Sequence, residues 1–366
     1  MMEPLRIVHA EAATGFAGQE RYIFRLLCAL RDRGHDVQAI CQPHARLATE
    51  LRRAGFQVST LYMDGAWNHL KGLPRLTRLL RLGRFDVVNT HSRRDTLLVG
   101  AAARLAGVPL IVRTRHLAKP VGSLLAYTGV PKRVIAPSEF VRRHLIDRGV
   151  SPLHVEVVPP AVGFPDPMPE PILRSELGLD EKAIVVGSVG VLRKEKGHEQ
   201  LVESMLPLFE RYADLHLVIV GGGDAALDRL RAQAAGVGLE SKIHFLGTRS
   251  DVPALLPDFD IFALATHIES AGMAFIEAGA AGVPVVGTRV GGVPEMVREN
   301  ETGLLVPLFD IPALTAAINL LISDRDLRLR MGRAGRHYCL EEGRFTKEAL
   351  GERTERCYRQ WLEEFV

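Results

Sequence analysis

Two rhythms of apolar and polar positions alternate along this chain almost from end to end. Apolar runs of strand length occupy residues 5–9, 35–40, 85–90, 109–114, 133–136 and 155–158. Between the first two, residues 19–33 place Ile23, Leu26, Leu27 and Leu30 on one helical face, and Gly34 supplies a stop signal. A second series of apolar runs follows at 183–189, 215–220, 243–246, 261–265 and 283–287. A parallel strand needs a crossover, usually a helix, so this alternation predicts an α/β fold with doubly wound sheets.

The two series are separated by Pro159, Pro160, Pro165, Pro167, Pro169 and Pro171. Prolines this dense cannot sustain a sheet ladder or a helix, so residues 161–172 read as a linker. The 366 residues then divide into a first domain at 1–160 and a second at 173–345, with a helical pattern over 346–366. Two doubly wound domains are expected to face each other across a cleft, with ligands beyond the carboxyl ends of the strands.

Hydrophobic content of 47% with 24% charged residues excludes a disordered chain. No apolar run approaches the roughly 18 residues of a membrane-spanning helix, and the N-terminus runs into a strand without a signal-peptide core. Cys28, Cys41, Cys339 and Cys357 lack metal or redox spacing and read as free thiols. A cytoplasmic location is the expectation. Residues 1–160 carry 24 Lys and Arg against 12 Asp and Glu, whereas the remainder carries 22 against 31. The basic half implies an anionic partner. Aromatics at 6%, without an aromatic–basic motif, argue against nucleic acid.

The densest chemistry lies at Glu269-Ser-Ala-Gly-Met-Ala-Phe-Ile-Glu277. With a helix beginning near Gly272, Glu269 precedes it and Glu277 sits in its early turns. An ideal helix would separate the two by about 12 Å, enough to grip two ends of one ligand. Carboxylates accept hydrogen bonds from sugar and ribose hydroxyls, and backbone N–H groups at Ala271, Gly272 and Met273 suit a ligand oxygen. This pattern predicts a nucleotide-sugar site, with Glu277 on the ribose and Glu269 on the sugar. Arg193, Lys194 and Lys196 cluster where a strand enters a helix; Arg193 and Lys196 are the expected diphosphate pair, able to hold its charge without a metal. Gly15 and Gly18 in Thr14-Gly-Phe-Ala-Gly-Gln-Glu20 allow close backbone approach at a helix start. His116 ends the strand Leu110-Ile-Val-Arg-Thr-Arg-His116, and His91 follows another strand with Arg93 and Arg94, a group expected on the acceptor side. Gly221, Gly223 and Ala226 fit a dinucleotide fingerprint, which keeps an NAD-dependent oxidoreductase open as an alternative.

The Glu-x7-Glu spacing after an apolar strand, then Ala278-Gly-Ala-Ala-Gly-Val-Pro-Val-Val286 and Gly291-Gly-Val-Pro-Glu295, resembles the signature of the retaining glycosyltransferases of family 4, of GT-B fold. The resemblance covers the chain from Arg6 to the C-terminal helix. It implies two Rossmann-like domains, a nucleotide-diphosphate sugar as donor, no metal or other cofactor, and a C-terminal helix that crosses back to brace the first domain. It places His116 against the transferred sugar and Gly15 and Gly18 in a loop facing donor and acceptor. A nucleotide-sugar epimerase of the same fold is a second alternative. The chain departs from the family at Val191, where many members carry arginine, and at Pro160-Ala161, where Asn-Gly is frequent. The acceptor is expected to be an anionic envelope glycan or glycolipid such as lipopolysaccharide core, reached by peripheral contact with the anionic inner membrane face. Residues 74–84 prompt that expectation, because on a helix Leu76, Leu79 and Leu80 share one side and Arg75, Arg78 and Arg81 another.

Overall fold

A computed structural model describes residues 3–163 and 168–365. The chain divides into two compact units: Met1–Ala161 with Thr346–Val366, and Val162–Phe345. Pro165 and Pro167 of the expected linker lie outside the described residues.

The first unit holds β1 (Arg6–Glu11), β2 (Asp36–Cys41), β3 (Gln57–Thr60), β4 (Val87–Thr90), β5 (Leu110–Thr114), β6 (Arg133–Ala136) and β7 (Val155–Val157). They form one parallel sheet in the order β3-β2-β1-β4-β5-β6-β7. Its central strands β1, β4 and β5 are buried almost throughout because both faces are covered. Ile7 of β1 packs with Ile23, Leu26 and Leu30 of the helix Gly18–Asp32, while Val8 and Ala10 pack on the other side with Leu76, Leu80 and Val99. The helix carrying those leucines runs over Ala66–Gly83, with Pro74 inside it. Burial of Leu76 and Leu80 at 2% and 1% exposure turns its apolar side inward and leaves Arg75, Arg78 and Arg81 on the surface.

The helix Lys347–Phe365 belongs to this same unit. Tyr358 and Trp361 enter the core beside Ile23 and Leu27, and the Tyr358 hydroxyl accepts a 2.6 Å hydrogen bond from Asn89 Nδ2. A methyl added at Gly351 would press on Ala29, so glycine sets how closely this helix meets Gly18–Asp32. Buried Glu355 receives Arg33 at 2.5 Å and Arg359 at 2.7 Å. Burial alone would raise its pKa, but hydrogen bonds from Arg359 and Arg33 outweigh that and hold it at about 2.

The second unit holds β8 (Ile184–Val189), β9 (Leu215–Val220), β10 (Ile243–Gly247), β11 (Ile261–Leu264), β12 (Val285–Thr288) and β13 (Gly303–Val306), again all parallel, in the order β10-β9-β8-β11-β12-β13. Two edge strands, β3 and β13, were not expected from the hydrophobic pattern. Among the described residues no helix is long and apolar enough to cross a membrane.

Trp361→Ala should destabilise the first unit by about 3–5 kcal/mol, the usual range for deleting a fully buried large aromatic. Urea unfolding followed by tryptophan-independent circular dichroism checks this; a loss below about 1 kcal/mol would contradict the packing.

Candidate active site

In the second unit the strand order reverses between β8 and β11, so the loops leaving these neighbours run to opposite sides and open a crevice at their carboxyl ends. The β8 loop makes a 3-10 turn over Lys194–Lys196 and passes through Gly197, at φ 68°, into the helix His198–Arg211. A side chain at Gly197 would overlap the carbonyl oxygen of Ala265, so glycine lets this loop lie directly on the end of β11. Two bonds fasten it there: the Glu195 carbonyl accepts from His267 N at 2.7 Å and from Thr266 Oγ1 at 3.0 Å.

This docking brings Lys196 to Glu269, and the ammonium and carboxylate form an ion pair. The sequence suggested separate duties for them; the structure makes them partners. The Glu269 backbone is held as well, its carbonyl accepting from Gly292 N at 3.1 Å. A methyl at Gly291 would overlap that carbonyl. Gly272, at φ 80°, then turns the chain into the helix Met273–Ala280, on which Glu277 is half-buried. Arg193 is exposed, and its guanidinium has no ion-pair or hydrogen-bond partner among the described residues. Beside this loop, His198 is 3% exposed with both ring nitrogens unpartnered among the described residues, and burial, then Lys196, lower its pKa to about 4.

The fingerprint glycines have a structural account. A side chain at Gly221 would overlap the Gly190 carbonyl oxygen, and one at Gly223 would crowd that of Leu192. These glycines therefore let the β8 and β9 loops pack, with Leu192 N donating to Gly222 O at 2.8 Å.

In the first unit the reversal falls between β1 and β4, and three histidines line up along the adjoining strand ends. His9 Nδ1 lies 2.9 Å from His91 Nε2, and His91 Nδ1 lies 2.9 Å from His116 Nε2. His91, expected on the acceptor side, is only 1% exposed and wedged between the other two rings. Both of its ring nitrogens are taken up by those neighbours. Arg93 and Arg94 are exposed, and Arg94 pairs with Asp64.

Two carboxyl groups that sequence reading passed over meet beside the β1–helix loop, Glu11 at the end of β1 and Asp95 five residues after β4. Asp95, fully buried, accepts from Ala12 N and His91 N at 3.1 Å and from Ser92 Oγ at 2.6 Å, with Arg113 at 3.5 Å. Glu11 accepts from Ala13 N at 2.6 Å and from Gln19. Burial, then the Asp95 charge, pushes Glu11 up to about 8; burial likewise raises Asp95 to about 6. Gly15 follows in this loop, and Gly18 begins the helix. Neither has positive φ, and a methyl at either would meet nothing within 4 Å, so the chain's own packing does not demand glycine there.

Residues 169–338 match the family model of glycosyl transferases group 1, and residues 16–163 match that of glycosyltransferase family 4. The chain is 31% identical over 290 residues to a GDP-mannose-dependent alpha-(1-6)-phosphatidylinositol monomannoside mannosyltransferase of Mycolicibacterium smegmatis, covering 73% of this chain and 75% of the relative. It is 25% identical to a UDP-Gal:alpha-D-GlcNAc-diphosphoundecaprenol alpha-1,3-galactosyltransferase of Escherichia coli, covering 89% and 90%. A glycosyltransferase from Rickettsia africae has the same fold, with a TM-score of 0.88 over 99% of this chain and all of that one, at 21% identity. The chain belongs to the family 4 glycosyltransferases of GT-B fold. It is a glycosyltransferase, and the oxidoreductase alternative is not favoured.

The raised Glu11 makes a pH prediction. A carboxyl favoured in its neutral form when folded contributes least once the unfolded chain ionises, so stability falls as pH rises from about 4.5 toward about 8. Glu11→Gln, neutral at every pH, should raise the melting temperature at about pH 8 and change it little at about pH 5. An equal effect at both pH values would count against a protonated Glu11.

Proposed function

We propose that the chain is a retaining glycosyltransferase that moves a sugar from a nucleotide-diphosphate sugar to a lipid-linked or other envelope glycan. The observation that carries this is the loop array at the β8/β11 reversal, where Lys196 and Glu269 pair beside the unpartnered Arg193. An ion pair in which each member keeps lone pairs or protons to spare can bind at both ends. Glu269 has acceptor capacity for sugar hydroxyls, and Lys196 has further donors for a phosphate. Arg193 adds a planar fork for the diphosphate. Glu277 accepts from the ribose, and the N–H groups at Ala271, Gly272 and Met273 face the sugar. The family resemblance assigns His116 to the transferred sugar and the loop bearing Gly15 and Gly18 to donor and acceptor.

In the proposed reaction the bond between the anomeric carbon and the phosphate oxygen breaks as the acceptor hydroxyl attacks from the same face. The acceptor's proton passes to the departing diphosphate. Arg193 and Lys196 stabilise the charge that develops there, so no metal and no cofactor beyond the donor is needed. The named activities of the relatives, a GDP-mannose-dependent transfer to a phosphatidylinositol mannoside and a UDP-Gal-dependent transfer to a diphosphoundecaprenol-linked sugar, support a nucleotide-diphosphate donor and a lipid-linked acceptor. Lipopolysaccharide core is one acceptor of this kind. Arg75, Arg78 and Arg81 on the exposed side of Ala66–Gly83, with Trp67 66% exposed in its first turn, support peripheral attachment to the anionic inner face of a membrane.

Glu277→Ala should weaken nucleoside diphosphate binding by about 1.5–3 kcal/mol, as expected for losing a charged acceptor. Titration calorimetry with GDP and UDP reads this, and unchanged affinity for both would remove Glu277 from the ribose. Sugar transfer from GDP-mannose and UDP-sugars should survive a chelator and fall steeply in Lys196→Ala. Activity that vanishes with chelator and returns with magnesium would overturn the metal-free assignment. Flotation with anionic liposomes, lost at high salt or in Arg75→Glu with Arg78→Glu, checks the membrane contact; equal binding to neutral liposomes would refute its electrostatic basis.

A further inference from the structure

The three histidines form a directional chain. His9 is 1% exposed within β1, His91 follows β4 directly, and His116 lies two residues beyond β5. Because β1, β4 and β5 are sheet neighbours, the rings stand side by side across the strand ends. Each ring pair has centroids 5.2 Å apart, nitrogens 2.9 Å apart and planes within 25°. The centroid spacing exceeds the nitrogen spacing by about two ring radii, so the rings meet edge to edge in nearly one plane, as N–H···N bonding requires.

A neutral imidazole has one donor nitrogen and one acceptor. Two proton arrangements are therefore open to three neutral rings: every N–H points toward His116, or every N–H points toward His9. The second would leave His9 Nε2–H as a donor at an atom that is buried with no partner among the described residues. A buried N–H without an acceptor is penalised more than a bare lone pair in the same place. The other end of the chain differs. His116 Nδ1 has no hydrogen-bond partner among the described residues yet is absent from the buried unsatisfied atoms, so a proton there reaches solvent or a ligand. Neutral rings are consistent with the surroundings. Burial holds His9 and His116 down at about 3. It holds His91 well below its ordinary value too, helped by the neighbouring rings and Arg113. The His91 backbone is pinned by its N–H to Ala10 O and to Asp95 Oδ1, both at 3.1 Å.

We propose that His9 and His91 are positioning residues that fix His116 as its Nδ1–H tautomer, so that His116 offers its ligand a hydrogen-bond donor and serves as no base. The ligand atom it suits is an oxygen with a free lone pair, such as a sugar hydroxyl oxygen. Its effect on transfer rests on the reading of His116 as a sugar contact; the tautomer itself does not.

Long-range proton–nitrogen correlation spectra of the histidine-labelled protein read the tautomers directly, with the His116 signals assigned by their loss in His116→Asn. The expected result is a protonated Nδ1 and a bare Nε2 on His116, and a bare Nε2 on His9. A proton on Nε2 of either ring overturns the proposal, whatever the protein's activity. The second arm compares two substitutions of His91. Asn can place a donor near the position of Nδ1, whereas Leu fills the volume without one. A packing role would be served better by Leu, a positioning role by Asn. His91→Asn should retain transfer within about threefold, and His91→Leu should lose about tenfold or more in kcat with nucleoside diphosphate Kd nearly unchanged. Transfer kept at least as well by Leu as by Asn overturns the positioning role. Absence of transfer by the unmodified protein with any nucleotide sugar would instead count against the glycosyltransferase reading of the site, and leaves the tautomer result to stand on the spectra.

Discussion

A parallel strand cannot turn back on itself; it can rejoin its sheet only after a crossover, and that constraint organises both units. Each sheet grows outward from a central pair, β1 beside β4 and β8 beside β11, with successive strands added on either side. At those central pairs alone, adjacent loops leave in opposite directions. The polar side chains discussed above gather there: His9 and His91 in one unit, Lys196 and Glu269 in the other. Both groups are consequences of winding order before they are consequences of chemistry.

Once winding has set the loops side by side, glycine decides how near they come. Gly197 against Ala265, Gly221 against Gly190 and Gly291 against Glu269 are contacts of backbone on backbone, each of which one methyl would obstruct. The ion pair of Lys196 with Glu269 depends on this closeness, because the lysine arrives on the β8 loop and the glutamate on the β11 loop. A glycine fingerprint can thus signify loop packing as readily as nucleotide approach. Gly221 and Gly223 show the first use. Gly15 and Gly18, where an added methyl would meet nothing and φ is not positive, remain available for the second.

Much of this was legible in the chain itself. Eleven strands were visible as apolar runs because sheets covered on both faces favour apolar residues at most positions. The two that escaped notice are edges: β3, Gln57-Val-Ser-Thr, is half exposed and largely polar, and β13, Gly303-Leu-Leu-Val, is short and begins with glycine. The glutamates and cations of the second unit were readable because they crowd one stretch of sequence beside a helix start. The histidine chain and the Glu11–Asp95 pair were not. Their members lie 82 and 84 positions apart, inside or just after strands where one polar residue looks incidental, and only the register of β1 with β4 joins them. His91 shows the limit most clearly. Its place after a strand was read correctly, but its burial depends on rings contributed by two other strands.

The two polar groups differ in how they hold charge. In the first unit burial suppresses it: three imidazoles stay neutral and two carboxyl groups rise toward neutrality. What remains is direction, a fixed sequence of donors and acceptors that discriminates among neutral oxygens by which way their hydrogens point. In the second unit charge is kept and compensated, Lys196 by Glu269, with Arg193 left over as a cation at the surface. An anion approaching that loop meets net attraction, and dissolved salt weakens it because Arg193 is exposed. The imidazole chain is buried and uncharged, so salt has no hold on it. Charge is thus suppressed in one group and compensated in the other, and only the second responds to salt.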